Sequence, residues 1–196
     1  MFQKCLGYLM CLCLAAAVGV PVFGDGENDE ATTGKETEMT FELKSPSFVH
    51  NQRMPKKHAY TGEGENLSPA LEWTDPPEGT KSYALICNDP DAPAGTWTHW
   101  VLWNLPTDKR ALPEGVPTYE SLPDLGDAQH GNNDFSKLGY GGPMPPSGHG
   151  DHHYNFTLYA LDTMLELEAG SDRGALLAAM EGHILGKAKL TGTYSR

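Results

Sequence analysis

Side chains that could bind or transform a ligand are concentrated in three short stretches, at residues 89–93, 97–101 and 139–154. The first supplies carboxylates, the second an imidazole between tryptophans, and the third imidazoles and phenols among glycines and prolines. Two kinds of chemistry suit this set: proton transfer between a carboxylate and an imidazole, and hydrogen bonding to a small polar ligand. Either one requires a fold that brings the three stretches together.

The stretch at residues 89–93 reads Asp-Pro-Asp-Ala-Pro and follows an apolar run that ends at Cys87. Because proline fixes φ and has no N–H, this segment cannot continue a sheet and predicts a stiff turn at a strand end. The turn would hold the carboxylates of Asp89 and Asp91 beside the sheet. An acidic turn with purely local backbone bonds is the alternative.

His99 lies in a stretch that predicts a strand. Alternation places Trp97, His99 and Val101 on one face, and Thr98 and Trp100 on the other. An imidazole between apolar neighbours is expected to be at least partly buried. It is then either a core histidine satisfied by one hydrogen bond, or a pocket donor whose charge a nearby carboxylate favours.

The stretch at residues 139–154 combines two kinds of backbone. Its glycines let N–H groups approach a ligand, and its prolines make that shape rigid. His152 and Tyr154 are two residues apart at the start of a predicted strand, so their side chains point to one side and that of His153 to the other. Backbone N–H groups, an imidazole and a phenol together suit an anion. A purely structural glycine–proline corner is the alternative.

The elements that must position these stretches are mainly strands. Apolar runs or alternation predict five of them. They cover residues 39–43, 83–87, 97–105, 154–161 and 189–194. One helix is predicted after the N-cap Asp172, because Leu176, Leu177, Met180, Ile184 and Leu185 recur at helical spacing. Many strands, one helix and proline-rich corners predict a mainly β, sandwich-like fold with a helix packed on it.

Taken in order, the three stretches resemble the phosphatidylethanolamine-binding protein (PEBP) family, and most closely its bacterial Raf-kinase-inhibitor-like branch. Residues 66–73, 132–135, 181–185 and 192–194 are similar to that branch as well, and the resemblance covers about residues 39–196. It implies a large antiparallel sheet packed on a smaller one, with an α-helix in the C-terminal region. It also implies no cofactor, and a small pocket that binds phosphate and similar anions, including phospholipid head groups.

The resemblance also implies, by position, which residues form the pocket. The ionisable residues that would line it are Asp89, His99, His152 and Tyr154. The residues that would shape its walls and mouth are Pro93, Trp97, Gly142, Met144, Pro145 and Pro146. The backbone N–H of Met144 would face the anion. The chain departs from the family at two positions: Met144 stands where a smaller residue is often found, and His153 where arginine is common.

The N-terminus has the layout of a secretory signal peptide. Lys4 precedes an uncharged apolar run at residues 6–22, and Gly24 comes just before an acidic stretch. Cleavage after Gly24 is expected, which would make the protein periplasmic or secreted. A retained membrane anchor is the alternative. Residues 25–38 are polar, acidic and free of aromatic side chains, which predicts a disordered spacer before a single domain at residues 39–196.

The net charge argues against one class of partner, and the cysteine content excludes an internal disulfide. The formal net charge of −12 argues against a nucleic-acid partner, which needs a basic face. Three of the four cysteines lie in the predicted signal peptide, so Cys87 alone remains and cannot form an internal disulfide. Its apolar neighbours predict a buried, unreactive thiol.

Three other functions remain open. A metal site could use His149, His152 and His153 with His99 and Asp89, but the mature chain has no Cys pair or HExxH motif. An enzyme could use Asp89 and His99 for proton transfer, although no G-x-S-x-G motif accompanies them. The family includes proteins reported to restrain kinases or proteases, so an exported member could inhibit an extracytoplasmic protease. The branch resemblance suggests a homodimer, and the natural anion stays open.

Overall fold

The computed structural model describes residues 40–196. The predicted signal peptide at residues 1–24 and the predicted spacer at residues 25–38 lie outside the described residues. Within the described range the chain forms ten strands, one α-helix and two short 3-10 helices. The strands are β1 (Glu42–Lys44), β2 (Gln52–Arg53), β3 (Leu71–Thr74), β4 (Ser82–Asp89), β5 (Trp97–Leu105), β6 (Ala111–Leu112), β7 (Ser121–Leu122), β8 (Ala128–His130), β9 (His152–Leu161) and β10 (Ile184–Tyr194). The α-helix, α1, is Arg173–Ala179, and the 3-10 helices are Lys56–His58 and Pro123–Leu125.

The strands form two sheets. The large sheet has seven strands in the order β2-β10-β9-β4-β5-β8-β7, and the small sheet has three in the order β1-β3-β6. Paired strands are antiparallel, except for β2 and β10, which are parallel. The predicted mainly β fold, with a large antiparallel sheet packed on a smaller one, is confirmed.

The large sheet is the middle of three layers, and this explains why its central strands are apolar on both faces. Along β4, Tyr83, Leu85 and Cys87 belong to the core between the two sheets. Ala84 and Ile86 belong to a second core, which α1 covers from the other side. Successive residues of a strand point to opposite faces, so burial on both faces gives β4 a continuous apolar run instead of an alternating one.

The helix α1 is shorter than its apolar spacing predicts. Asp172 is its N-cap, as predicted, and Oδ1 of Asp172 accepts the N–H of Ala175 at 2.8 Å. The prediction that Ile184 and Leu185 continue the helix is wrong, because both lie in β10, which pairs with β9 along most of its length. Gly182, with a φ of 79°, turns the chain out of the helix before this strand. No helix within residues 40–196 is long and apolar enough to cross a membrane.

Candidate functional site

The three chemistry-bearing stretches meet at one edge of the large sheet. Strand β4 ends at Asp89, β5 begins at Trp97, and β9 begins at His152. Because β4 lies between β5 and β9 and is antiparallel to both, its last residues lie beside the first residues of its neighbours. Asp89 is opposite Trp97 in the register. The segment that connects β8 to β9 closes this edge.

A cavity of about 350 Å³ opens at this edge. Nine of the ten predicted site residues line it: Asp89, Pro93, Trp97, His99, Met144, Pro145, Pro146, His152 and Tyr154. Ala92, Ala94 and Phe135 complete the lining. Gly142 is not among the lining residues. Most of the lining side chains are therefore apolar, and the polar side-chain groups are a carboxylate, two imidazoles, a phenol and an indole.

Asp89 and His152 form a buried hydrogen-bonded pair. Oδ2 of Asp89 lies 2.7 Å from Nδ1 of His152. Because a carboxylate accepts, Nδ1 of His152 carries the hydrogen. The other carboxylate oxygen, Oδ1, accepts the backbone N–H of Asp91 at 2.8 Å, which fixes the turn after β4. For the enzyme alternative that pairs Asp89 with His99, the observed imidazole partner of the carboxylate is His152.

The second ring nitrogen of His152 is also occupied. Its Nε2 lies 2.7 Å from Nδ1 of His149, which extends the pair into a chain of carboxylate, imidazole and imidazole. His149 is exposed and lies between Gly148 and Gly150, whose φ angles of 76° and 89° belong to the left-handed region. The chain therefore leads from a buried carboxylate to a solvent-exposed ring on a glycine-flanked segment.

His99 is held in one tautomer by the backbone. Its Nδ1 lies 2.6 Å from the carbonyl oxygen of Gly141, and a carbonyl only accepts, so Nδ1 donates. When the ring is neutral, the other nitrogen, Nε2, bears a lone pair. Burial lowers the pKa of His99, although the Gly141 carbonyl and the charges of Asp89 and Asp134 act in the opposite direction.

The hydroxyl of Tyr154 is buried and has no hydrogen-bond partner among the described residues. Its ring packs edge-on against His99, with ring centres 5.0 Å apart. Burial, together with the negative charge of Asp89, raises the pKa of Tyr154 well above its usual range, so its proton is retained. The indole Nε1 of Trp97 is likewise buried and without a partner in this part of the chain. Buried polar groups without partners are uncommon and favour a ligand site.

Gly142 has a structural position and is not among the residues that line the cavity. Its N–H donates to Oδ1 of Asn66 at 2.7 Å and is not available to a ligand. A Cβ at this position would lie 2.0 Å from the carbonyl oxygen of His58, which only glycine avoids. The adjacent Pro143 accepts the N–H of Tyr60 at 3.0 Å. These bonds fix the loop that carries Met144.

His153 points away from the cavity, as predicted. Its side chain is half exposed, and its backbone N–H and Nδ1 both contact Oδ2 of Asp91, at 2.9 and 2.8 Å. Burial opposes ionisation of Asp91, but the bonds to His153 outweigh it and lower the pKa of this carboxyl. His153, which stands where the family commonly has arginine, thus stabilises the turn through Asp91 on the side away from the cavity.

Phe135 also lines the cavity, although the sequence does not predict it. Its ring stacks on Tyr60 at 4.3 Å and meets Trp97 and His99 edge-on, each at 5.5 Å. The preceding Asp134 fixes this segment beside β5, because its Oδ2 accepts the N–H of Thr98 at 2.6 Å. The motif at residues 132–135 was identified in the sequence, but nothing in its spacing indicates that its aromatic ring reaches the cavity.

A comparison with family models decides the relationship. A model described as phosphatidylethanolamine-binding protein matches residues 44–195. The chain belongs to this family. The UPF0098 protein of Methanothermobacter thermautotrophicus is 53% identical over 154 residues, which cover 79% of this chain and 98% of that relative. The predicted family membership is confirmed.

Solved structures show the same PEBP fold. The crystal structure of the PEBP homologue CT736 from Chlamydia trachomatis has a TM-score of 0.70 and 37% identity, and covers 80% of this chain and 97% of that one. The structure of Escherichia coli YbcL, described as a member of the mammalian PEBP family, has a TM-score of 0.72 and 32% identity. It covers 80% of this chain and 98% of YbcL.

The positions of the side chains bear on two alternatives, a metal site and an enzyme that would need a nucleophile. Among residues 40–196, no three or more His, Cys, Asp or Glu side chains are grouped so that they could hold a metal ion. Cys87 is buried in the core between the sheets, and burial raises the pKa of its thiol well above the usual range. The only cysteine of the described residues is thus poorly suited to be a nucleophile.

Proposed function

We propose that this PEBP-family chain is a non-catalytic binding protein whose cavity takes a small phosphate-type anion, either free or as a head group. The observation that carries the proposal is the buried Tyr154 hydroxyl, which lines a cavity beside Asp89, His99 and His152 and has no hydrogen-bond partner among residues 40–196. A ligand would satisfy this donor. Because the bonds of Gly142 and Pro143 fix the loop that carries Met144, little ordering entropy should be lost on binding.

The cavity is better suited to binding than to covalent catalysis. Among residues 40–196, the twelve that line the cavity include no Ser, Thr, Cys or Lys, so no hydroxyl of Ser or Thr, no thiol and no amine is available there as a nucleophile. The one carboxylate–imidazole pair, Asp89 with His152, has its outer nitrogen in contact with His149.

Titration of the protein with inorganic phosphate and O-phosphorylethanolamine, followed by amide and imidazole NMR shifts, tests the proposal. Shifts are expected at residues 89–99 and 141–154 and should be lost in the double variant His99→Ala, His152→Ala. His183→Ala is the matched control, because this exposed histidine pairs with Asp162 away from the cavity. A folded protein without shifts at millimolar ligand would contradict anion binding and make a protein partner, such as a protease, the leading hypothesis.

We further propose that the protein is exported, on the basis of the signal-peptide pattern at residues 1–24. Expression of the full chain in a bacterial host, followed by fractionation and intact mass measurement, tests this. A periplasmic or secreted product whose N-terminus is Asp25 is expected. A product that keeps residues 1–24 in the membrane fraction would favour the anchor, and an uncleaved protein in the cytosol would contradict export.

A further inference from the structure

Strand β10 of the large sheet is covered on its outer side only near its end. It pairs with β9 along one side, whereas β2 pairs with the other side only at Gly192 and Thr193. Thr191 is covered as well: its N–H donates to Nδ1 of His50 at 3.1 Å, and its carbonyl oxygen accepts the N–H of Asn51 at 2.7 Å. Both backbone groups of Thr191 therefore point outward, away from β9.

The same direction applies to alternate residues further back along β10. In an antiparallel pair, every second residue directs both its N–H and its C=O away from the partner strand. The register of β10 with β9 is continuous from Gly186 to Tyr194, so the backbone groups of Lys187 and Lys189 point outward like those of Thr191. In the described part of the chain no strand pairs with them on that side. Unpaired groups of this kind can pair with another strand.

The unpaired edge of β10 lines a groove of about 490 Å³. The opposite side of the groove is β1, which is itself the outermost strand of the small sheet. The groove is apolar at its base, where Leu43, Phe48, Ala188 and Leu190 belong to the core between the sheets. Val49, also in the lining, is 71% exposed. The groove shares no lining residue with the candidate anion cavity.

The open part of this edge is short. At one end an added Cβ on Gly186 would lie 2.7 Å from Cγ of Pro77, so Pro77 closes the groove there. At the other end His50 and Asn51 cover Thr191. The open edge thus comprises residues 187–190, about 13 Å at about 3.3 Å per residue.

The other face of the open edge is basic. Lys187 and Lys189 alternate with Ala188 and Leu190, so their side chains point away from the core between the sheets. Nζ of Lys187 lies 5.4 Å from the centre of the Tyr159 ring on that face. Both lysines are exposed, and neither belongs to an ion pair among residues 40–196. A strand added here would meet apolar surface on one face and positive charge on the other.

These charges disfavour a second copy of the chain as the added strand. If two β10 edges met in antiparallel fashion, the outward-pointing residues would be opposite each other, and lysines would face lysines. Like charges directly opposite in a sheet are destabilising, and lysine on an edge strand commonly prevents such pairing. Acidic side chains at the same positions would be attracted to Lys187 and Lys189 instead.

We propose that the open edge of β10 binds an extended peptide segment of a partner protein in which apolar and acidic residues alternate. The backbone of the segment pairs with Lys187 and Lys189. Its apolar side chains enter the groove, and its carboxylates lie beside the two lysines. In such strand addition the main-chain hydrogen bonds supply affinity and the alternate side chains supply specificity.

The test uses a blocked octapeptide of alternating glutamate and valine, with fluorescence anisotropy for affinity and amide NMR shifts for location. Binding should shift residues 41–50 and 187–190. The peptide with lysine in place of glutamate should bind about tenfold more weakly, because attraction at two cross-strand pairs becomes repulsion. Equal affinity of the two peptides would overturn the charge selection. Shifts confined to residues 89–99 and 141–154 would assign the peptide to the anion cavity and overturn this surface, while leaving anion binding intact.

Methylation of alternate backbone nitrogens tests the strand pairing itself. One peptide is N-methylated at its glutamates only, and another at its valines only. Successive N–H groups of a strand point to opposite sides, so one peptide keeps every N–H that faces β10 and the other loses them. One should bind like the unmethylated peptide and the other should not bind. Loss with methylated glutamate indicates an antiparallel strand, and loss with methylated valine a parallel one. Equal binding of both would overturn strand addition.

The variant Lys189→Glu tests the charged face from the protein side. It should weaken binding of the glutamate peptide and strengthen that of the lysine peptide. Lys137→Glu is the matched control, since this exposed lysine lies outside the groove and should leave both affinities unchanged. An unchanged preference in Lys189→Glu would contradict the role of this lysine.

The acidic residues of the chain's own segment 25–38 are a possible competitor for the groove. A second form of the full chain therefore carries the corresponding amides at these acidic positions. The glutamate–valine peptide should bind both forms. Binding only after the replacement would overturn a separate partner in favour of the chain's own segment as the occupant. Binding to neither form would overturn the proposal entirely.

Discussion

Oδ2 of Asp89 lies 2.7 Å from Nδ1 of His152, and the two residues are only 3% and 1% exposed. They come from adjacent strands, β4 and β9, and their side chains meet at the floor of the cavity. A buried hydrogen bond to a carboxylate is costly to break from one side, because the remaining partner stays desolvated. The pair therefore contributes to the stability of the domain as well as to the site.

The first prediction concerns the stability of this pair. Asp89→Ala leaves the Nδ1–H of His152 buried without an acceptor, and should lower the free energy of unfolding by about 1–3 kcal/mol. Asp89→Asn keeps an acceptor oxygen and should cost less. Urea denaturation at neutral pH measures both, with Asp162→Ala at the exposed His183 pair as the control. Equal losses for the alanine and asparagine variants would contradict a specific role for the hydrogen bond.

The second prediction concerns His149, which lies 2.7 Å from Nε2 of His152. If the ring competes with a ligand for this nitrogen, His149→Ala should tighten phosphate binding about two- to tenfold, the range expected for one hydrogen bond. The measurement is calorimetric titration with inorganic phosphate. His153→Ala, which removes an imidazole from the outer face, should leave the affinity unchanged. Weaker binding by the His149 variant would mean instead that its ring contacts the ligand.

The third prediction separates close packing from backbone freedom. Gly142→Ala would bring a Cβ to 2.0 Å from the His58 carbonyl oxygen, so it should cost at least about 3 kcal/mol of stability or prevent folding. Gly148→Ala meets nothing within 4 Å and pays only for its left-handed φ of 76°, about 1–2 kcal/mol. Urea denaturation of both variants gives the comparison. Similar costs at the two positions would show that the loop yields at Gly142.

The sequence was most informative where burial and periodicity act together. The predicted strand at residues 97–105 has the bounds of β5, and the residues that flank β4 and begin β9 reached the site as expected. Of the ten site residues that the family resemblance predicts, nine line the cavity. These features depend on local alternation or on a motif, and both can be read along the chain.

The sequence was least informative where distant segments decide the outcome. Ile184 and Leu185 fit a helical spacing, but pairing with β9 places them in a strand. The hydrogen-bond partner of Asp89 depends on how two strands and a loop are placed relative to one another. It is His152, although His99 is closer to Asp89 along the sequence. Phe135 lines the cavity on a segment that the bond between Asp134 and Thr98 ties to β5. Such relationships are tertiary, and residue spacing does not contain them.

The last prediction concerns acid stability and His130, at the end of β8. This ring is fully buried: Nδ1 donates to the carbonyl of Tyr119 at 3.0 Å, and Nε2 accepts the indole N–H of Trp100 at 3.1 Å. Burial lowers the pKa of His130 to about 4, against the smaller opposing effect of the Tyr119 carbonyl. The fold therefore requires the neutral ring, since Nε2 cannot both accept from Trp100 and carry a proton.

The direction in which stability changes with pH follows from proton binding. Between about pH 6.5, the ordinary value for the unfolded chain, and about pH 4, the unfolded state takes up a proton that the native state excludes. Stability is thus fully present above this window and falls through it by up to about 3 kcal/mol. His130→Asn cannot titrate, so its free energy of unfolding should decline less steeply over the same window. The exposed His183→Asn should keep the slope of the unmodified protein, and an equal slope in His130→Asn would show that other buried groups dominate the acid response.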